Sequence, residues 1–244
     1  MPLHGSVVPV DALSGSDRDR MFAILTDHFE GVSRPMFLRD LREKQWAIIL
    51  RTSTTEKIVG FSTQTLLSTT VSGRPVQALF SGDTIVDRQH WGDTELVRVW
   101  GEFALQLADE QPDRPLYWFL ISMGYKTYRF LPLFFYEFYP RHDVPTPRSE
   151  QEILDAVASA RYPTDYAPQS GVITPTDCRV CLRRGIADIE PHRLRDPHIR
   201  FFVEKNPGHS EGEELACIAP LCRENLKPRA HAIIGRHIDQ PSGA

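Results

Sequence analysis

Short apolar runs alternate with amphipathic stretches along this chain, and their spacing predicts most of its elements. Val7 to Val10 suits a first short strand. Ser16 and Asp19 form a capping-box-like helix start, and Met21, Leu25 and Phe29 follow at helical spacing. Ser33 with Pro35 opens a second helix that turns Phe37 and Leu41 inward. Trp46 to Leu50 is apolar without alternation, as expected of a strand covered on both faces. Ile58 to Thr70 gives a long strand, and Ser72-Gly73 a hairpin turn into a central strand. Val76, Ala78 and Phe80 alternate in that strand, and Thr84, Ile85 and Val86 continue it with β-branched side chains.

Leu96, Trp100, Phe103 and Leu107 recur at three- and four-residue spacing and paint one face of a helix. Pro112 to Pro115 breaks the chain, and Leu116 to Ile121 is another buried strand. In the aromatic segment that ends at Tyr139-Pro140, residues Tyr128, Leu131, Phe135 and Phe138 have helical spacing. Residues 145–149 form a polar linker, and Glu152 to Ala160 a short helix with Ile153, Ala156 and Val157 inward. Gly171 to Thr174 gives a short strand and Ile199 to Val203 a better one. Ser210 with Glu213 is a capping box for a helix from Glu214 to Asn225, and residues 240–244 read as a disordered tail.

Composition narrows the function classes. A chain of 244 residues with 41% hydrophobic and 25% charged residues is ordinary for a globular protein. A net charge of −4 argues against nucleic acid, which selects a basic face. No apolar run approaches the roughly 20 residues needed to cross a bilayer, so no membrane partner is expected. The opening residues lack a basic n-region and a long apolar core, which points to the cytoplasm and to reduced cysteines.

Chemistry concentrates where the central strand meets the following helix. Between them lies Gln89-His90-Trp91-Gly92-Asp93-Thr94. A helix opening straight after a strand aims unpaired N–H groups and its positive dipole end outward, a natural seat for phosphate. The same residues also fit an ordinary connection.

The order strand–helix–helix–strand–hairpin–strand–helix–strand–helix over roughly residues 5–140 resembles the GNAT superfamily of acyl-CoA N-acyltransferases. The resemblance implies an α/β (α+β) fold: a mixed, mostly antiparallel twisted sheet flanked by helices. It places a GNAT-like core at residues 1–145. Residues 146–244 are then a C-terminal extension that packs on the core and contributes a last strand, Ile199 to Val203, and a helix. That family wraps the coenzyme A pyrophosphate with a loop of pattern Gln/Arg-x-x-Gly-x-Gly/Ala, and Gln89-x-x-Gly92-x-Thr94 matches it in a degenerate form. Thr94 replaces a small residue, Asp93 brings a negative charge, Trp91 is bulky, and Arg88 can compensate. By resemblance, Thr84, Ile85, Val86, Gln89, Gly92, Asp93 and Thr94 contact the acyl donor, which is acyl-CoA or an acyl-carrier protein.

Asp83 stands where that fold often places a carboxylate base, and it also fits a turn after Gly82. Tyr128, with Tyr125 as runner-up, matches the tyrosine that protonates the leaving thiolate, and it also fits aromatic core. The expected function is transfer of an acyl group to a small amine. A non-catalytic GNAT-like binding or regulatory module is the alternative. Cys178 and Cys181 have zinc-knuckle spacing, whereas Cys217 and Cys222 diverge around the expected helix, so no metal is expected. His192, His198 and His209 lie between the pairs. Neither a Gly-x-Ser-x-Gly elbow nor a P-loop lysine motif occurs.

Overall fold

The structure, a computed structural model, describes residues 2–176, 180–186 and 188–235. Strand β1 (Leu3–Pro9) leads through a 3-10 turn into helix α1 (Gly15–His28). The box that starts α1 is Ser14 with Asp17, two residues earlier than Ser16 and Asp19. The Ser14 hydroxyl accepts from Asp17 N at 3.0 Å, and the Asp17 carboxylate accepts from Ser14 N at 3.3 Å. Met21 and Leu25 are buried as expected, while Phe29 leaves the helix for the short strand β2 (Phe29–Glu30). Helix α2 (Arg34–Arg42) is capped by Ser33 with Pro35 in its first turn, and it buries Phe37 and Leu41.

Strands β3 (Trp46–Thr52), β4 (Ile58–Val71) and β5 (Arg74–Val86) form an antiparallel meander. Its hairpin turns at Ser72 and Gly73, both at positive φ (49° and 77°). Helix α3 (Glu95–Glu110) then crosses back to β6 (Leu116–Ser122), which pairs with β5 in parallel. Helices α4 (Tyr125–Tyr128) and α5 (Phe130–Phe134) are short. The helical spacing of the aromatic segment ends there, because Pro132 and a return to the sheet intervene. Phe135 bridges to Leu226 and Tyr139 to Ile218. Helix α6 (Arg148–Arg161) begins inside the stretch read as a linker, and it buries Ile153, Val157 and Ala158, with Ala156 half-buried.

The remaining elements are β7 (Tyr166–Ala167), β8 (Val172–Ile173), β9 (Cys181–Leu182), α7 (Pro197–Lys205), β10 (Glu214–Pro220) and α8 (Pro228–Ile234). Two expectations are reversed here. Ile199 to Val203 is helical within α7, because Asp196 caps it through His198 N at 2.9 Å and Pro197 presets its first turn. Glu214 to Asn225 is not a helix, and its first seven residues are strand β10. Leu215, Cys217 and Ala219 pack on one face of the sheet while Ala216 and Ile218 pack on the other. That two-sided burial outweighs the helix preference of the alanines. The sheet order is β1-β3-β4-β5-β6-β10-β8-β7, so the chain after residue 145 joins the same sheet. The expected tail at 240–244 lies outside the described residues.

This is the mixed, mostly antiparallel sheet with helices on both sides that the resemblance implies. Helices α1, α2 and α6 cover one face, where Met21, Phe37, Phe80 and Val157 are buried. Helices α3, α4, α5, α7 and α8 cover the other, around Trp118, Phe134 and Phe202. The β5–β6 ladder runs from Gln77↔Leu116 to Ser81↔Leu120 and stops, although β5 continues to Val86. Beyond Ser81 the β6-facing edge of β5 has no strand partner among the described residues, and the sheet opens.

Ile218 is fully buried at the middle of β10. Ile218→Ala should therefore cost about 2–5 kcal/mol of unfolding free energy in urea titration, the range for truncating a core isoleucine. A loss near zero would mean that β10 does not form the sheet's interior.

Candidate active site

The opening between β5 and β6 is held by one serine. Ser81 Oγ accepts from Trp118 Nε1 at 3.0 Å and from Trp100 Nε1 at 3.1 Å, and it donates to Gln64 Oε1 at 2.7 Å. Gln64 Nε2 donates to Ser62 Oγ, which pairs with Thr84 Oγ1, each at 2.7 Å. The two indoles lie 4.5 Å apart between centres. Four elements (β4, β5, β6 and α3) are thus tied together where the ladder ends. Beside this node is an apolar cavity of about 60 Å³, bordered by Thr84, Leu96, Trp100, Trp118, Phe134 and Ile234 among others.

Past Ser81 the strand bulges. Ser62 pairs with Thr84 and Gln64 with Ser81, so Thr63 alone opposes Gly82 and Asp83. A Cβ on Gly82 would stand 2.7 Å from Thr63 Oγ1 and 2.8 Å from Lys44 Cε, so glycine admits the lysine stem here. The bulge turns Asp83 toward the α1–α2–α6 face, near Asp40 of α2 and Lys44 just after it. Glu214 opens β10 at the same level, one residue beyond the Leu215↔Ser122 pair. Burial, reinforced by the Asp40 carboxylate and opposed by Lys44, pushes the Asp83 carboxyl up to about 7. Burial, with Asp83 and Asp40 nearby, pushes Glu214 up to about 8. A carboxylate that holds its proton near neutrality is suited to act as a base.

The loop after β5 has a different character. Gly92 is at φ +98°, with nothing within 4 Å of a Cβ placed there, so its backbone conformation is what selects glycine. Asp93 Oδ1 accepts from Glu95 N at 2.7 Å, so the start of α3 is partly capped from within. Thr94 is the N-cap residue, and Gln89 is exposed on the turn Arg88–His90. Trp91, 44% exposed, donates from its indole to Val86 O at 2.8 Å. Lys126 Nζ lies 4.1 Å and Arg88 Cζ 5.8 Å from the Trp91 ring centre. Burial and the neighbouring Arg88 and Arg193 lower the Lys126 pKa against the pull of Asp188, a sign of uncompensated positive charge.

The structure therefore brings some expected residues together and separates others. Asp83 and Thr84 flank the opening on its two faces, whereas Ile85 is buried in the α1–α2 core and Val86 is half-buried. Tyr128 is fully buried against Phe138, Phe201 and Phe202, and its hydroxyl donates to Pro140 O at 2.9 Å. Burial pushes that phenol well above its ordinary range. Tyr125 is buried as well. Cys217 is enclosed in β10, Cys181 lies in β9 and Cys222 is exposed, while Cys178 lies outside the described residues. Glu214, Asp40, Lys44, Thr63, Lys126 and Arg193 were not singled out from sequence. Glu214 becomes visible only once its segment is a strand.

No protein-family model and no curated protein matches the chain. Among solved structures it is similar to Saccharomyces cerevisiae N-myristoyltransferase with bound myristoyl-CoA, at 16% identity, TM-score 0.37, over 50% of this chain and 30% of that one. It is also similar to the Escherichia coli GNAT-family N-acetyltransferase YhbS in complex with CoA, at 16% identity, TM-score 0.35, over 51% and 64%. An Enterococcus faecalis protein described as a probable N-acyltransferase is similar over 88% of this chain and 65% of its own, at 11% identity and TM-score 0.44. The chain thus spans less than two thirds of the length of each.

Ser81→Ala should lower stability by about 1–3 kcal/mol, because it strands the buried Trp118 N–H, whereas Trp100 keeps Gln64 Oε1 at 3.3 Å. Urea unfolding followed by tryptophan fluorescence measures it. An unchanged midpoint would show that the serine does not hold the opening.

Proposed function

We propose that this protein is an N-acyltransferase in which the acyl donor lies along the opening between β5 and β6. The observation that carries this reading is Asp83, a carboxyl poised near neutral pH where the sheet splits. The exposed edge of β5 beyond Ser81 can hydrogen-bond the amide-rich pantetheine arm as another strand would. Arg88, Lys126 and Arg193 supply the positive charge that a phosphorylated donor requires, which favours coenzyme A and also suits the phosphopantetheine of an acyl-carrier protein.

The acceptor ammonium gives one proton to Asp83. The freed nitrogen attacks the thioester carbonyl carbon, the C–N bond forms and the C–S bond breaks. The nitrogen then loses its second proton to solvent, and the departing thiolate takes a proton from solvent, while Asp83 releases its own for the next cycle. A thiolate is weakly basic, with a pKa near ~8.5, and needs no protein acid. Tyr128, its hydroxyl held by Pro140 O, then acts by positioning the chain behind β6 rather than by donating a proton. A backbone N–H on the β6-facing edge of β5 beyond Ser81 then polarises the carbonyl.

The second reading, a binding module without catalysis, is favoured by Asp93, whose side chain already occupies the Glu95 N–H at the start of α3. Donor binding separates the two.

Asp83→Asn should reduce kcat by about 10²–10⁴-fold with donor binding retained, since only proton transfer is removed. The base works ionised, so kcat/KM of the native protein should rise with pH through about 7 and level off above it. That rise should vanish in Asp83→Asn. Lys126→Glu and Gly92→Asp should each weaken acyl-CoA binding by about tenfold or more in calorimetry, by charge repulsion and, at Gly92, by a strained φ as well. Absence of any heat with acyl-CoA or an acylated carrier protein would leave the binding-module reading in place.

A further inference from the structure

On the α1–α2–α6 face, the groups around Asp83 are unevenly matched in charge. Lys44 Nζ pairs with Asp40 at 2.6 Å, and Arg161 pairs with Glu43 at 2.7 Å and Asp40 at 3.5 Å. Both cations are taken by carboxylates of α2 and its C-cap, Asp40 and Glu43. Among the described residues, the side chains of Asp83 and Glu214 have neither an ion pair nor a hydrogen bond. Glu214 nevertheless feels the Asp83 and Asp40 carboxylates, and Tyr162, which follows α6, lies near both Glu214 and Asp83. Thr63 is fully buried, and its hydroxyl lacks a partner beside Gly82 and the Lys44 stem. Half-buried carboxylates whose neighbouring cations are already paired elsewhere, next to an orphaned buried hydroxyl, are costly unless something else completes them.

We infer that the acceptor is an alkylamine bearing a second positive charge, a diamine or polyamine, bound between Asp83 and Glu214 with Thr63 Oγ1 at its margin. This inference rests on the acyl-transfer reading and specifies its acceptor. Four carboxylates (Asp40, Glu43, Asp83 and Glu214) face Lys44 and Arg161, so the ionised cluster carries two net negative charges. An acceptor with an anionic end would add to them. A dication neutralises them, with one ammonium at Asp83 for reaction and the other at Glu214 for anchoring. The same alkylammonium chemistry occurs on a lysine side chain, so the test carries both sources.

Three amines of equal length isolate the charge at the far end: 1,5-diaminopentane, 1-aminopentane and 5-aminopentanoate, with a lysine-containing peptide as a fourth arm. Calorimetry on the full chain should show the diamine binding at least tenfold tighter than the aminopentanoate, with protons released as the carboxylates ionise. Acylation should follow the same order in kcat/KM. Glu214→Gln should collapse the diamine preference, and Thr63→Val should weaken diamine binding without reversing the order. Should Glu214→Gln fail to fold, raised salt tests the same point by eroding the preference. Equal binding of the three amines, or preference for the aminopentanoate, overturns the inference and leaves acyl transfer standing. Tight diamine binding with no acylation of any amine overturns acyl transfer and leaves the cation site. Peptide acylation exceeding the free diamine assigns the second charge to a polypeptide and overturns the small-amine acceptor.

Discussion

The structure depends on a shared acceptor. Ser81 Oγ accepts from two indole N–H groups and donates its own O–H to Gln64 Oε1, so β4, β5, β6 and α3 are fixed to one another at one oxygen. This happens where the β5–β6 ladder ends. A parallel pair that simply frayed would close over or gain a partner strand, because open ladder edges invite pairing. Here the bulge at Gly82–Asp83 bends β5 away, and the two indoles fill the wedge beneath it. The opening is a built feature of the sheet.

The opening joins surroundings of opposite character. On the side of α3 and α8, the lining is indole, phenyl and aliphatic, relieved only by hydroxyls of Ser62, Ser81, Thr84 and Thr127. On the side of α2 and α6, carboxylates and cations crowd around Asp83. A thioester bridging the two sides would keep its reactive carbon beside a base while its apolar portion stays dry. In low dielectric a carboxylate attracts a proton more strongly than in water, and burial with Asp40 nearby raises Asp83 toward neutral pH.

Much of this was legible in the sequence. The meander, the hairpin at Ser72-Gly73 and the helix through Trp100 followed from hydrophobic period and turn chemistry, because these elements are long and locally consistent. The family resemblance singled out Asp83 near the end of the central strand, where it also fits a turn after Gly82. What remained hidden depended on tertiary context. Leu215-Ala-Cys-Ile-Ala219 has no period of its own and becomes a strand because both sheet faces are covered there. Ile199 to Val203 looked like a strand by composition, yet a cap at Asp196 and a proline decide for helix. Glu214 and Lys126 lie far from Asp83 and Trp91 in sequence, so no local pattern announces their meeting. Tyr128 shows the opposite failure, a residue in the expected position whose hydroxyl is committed to Pro140.

The central claim is that the acyl donor occupies the split between β5 and β6. Amide hydrogen exchange with and without acyl-CoA tests it most directly, since an inserted pantetheine would pair with the free edge of β5. The account predicts slowed exchange over residues 82–86, with little change in β3 or β1. Unchanged exchange at 82–86 with a saturating donor, or protection confined to elements away from the opening, would contradict it.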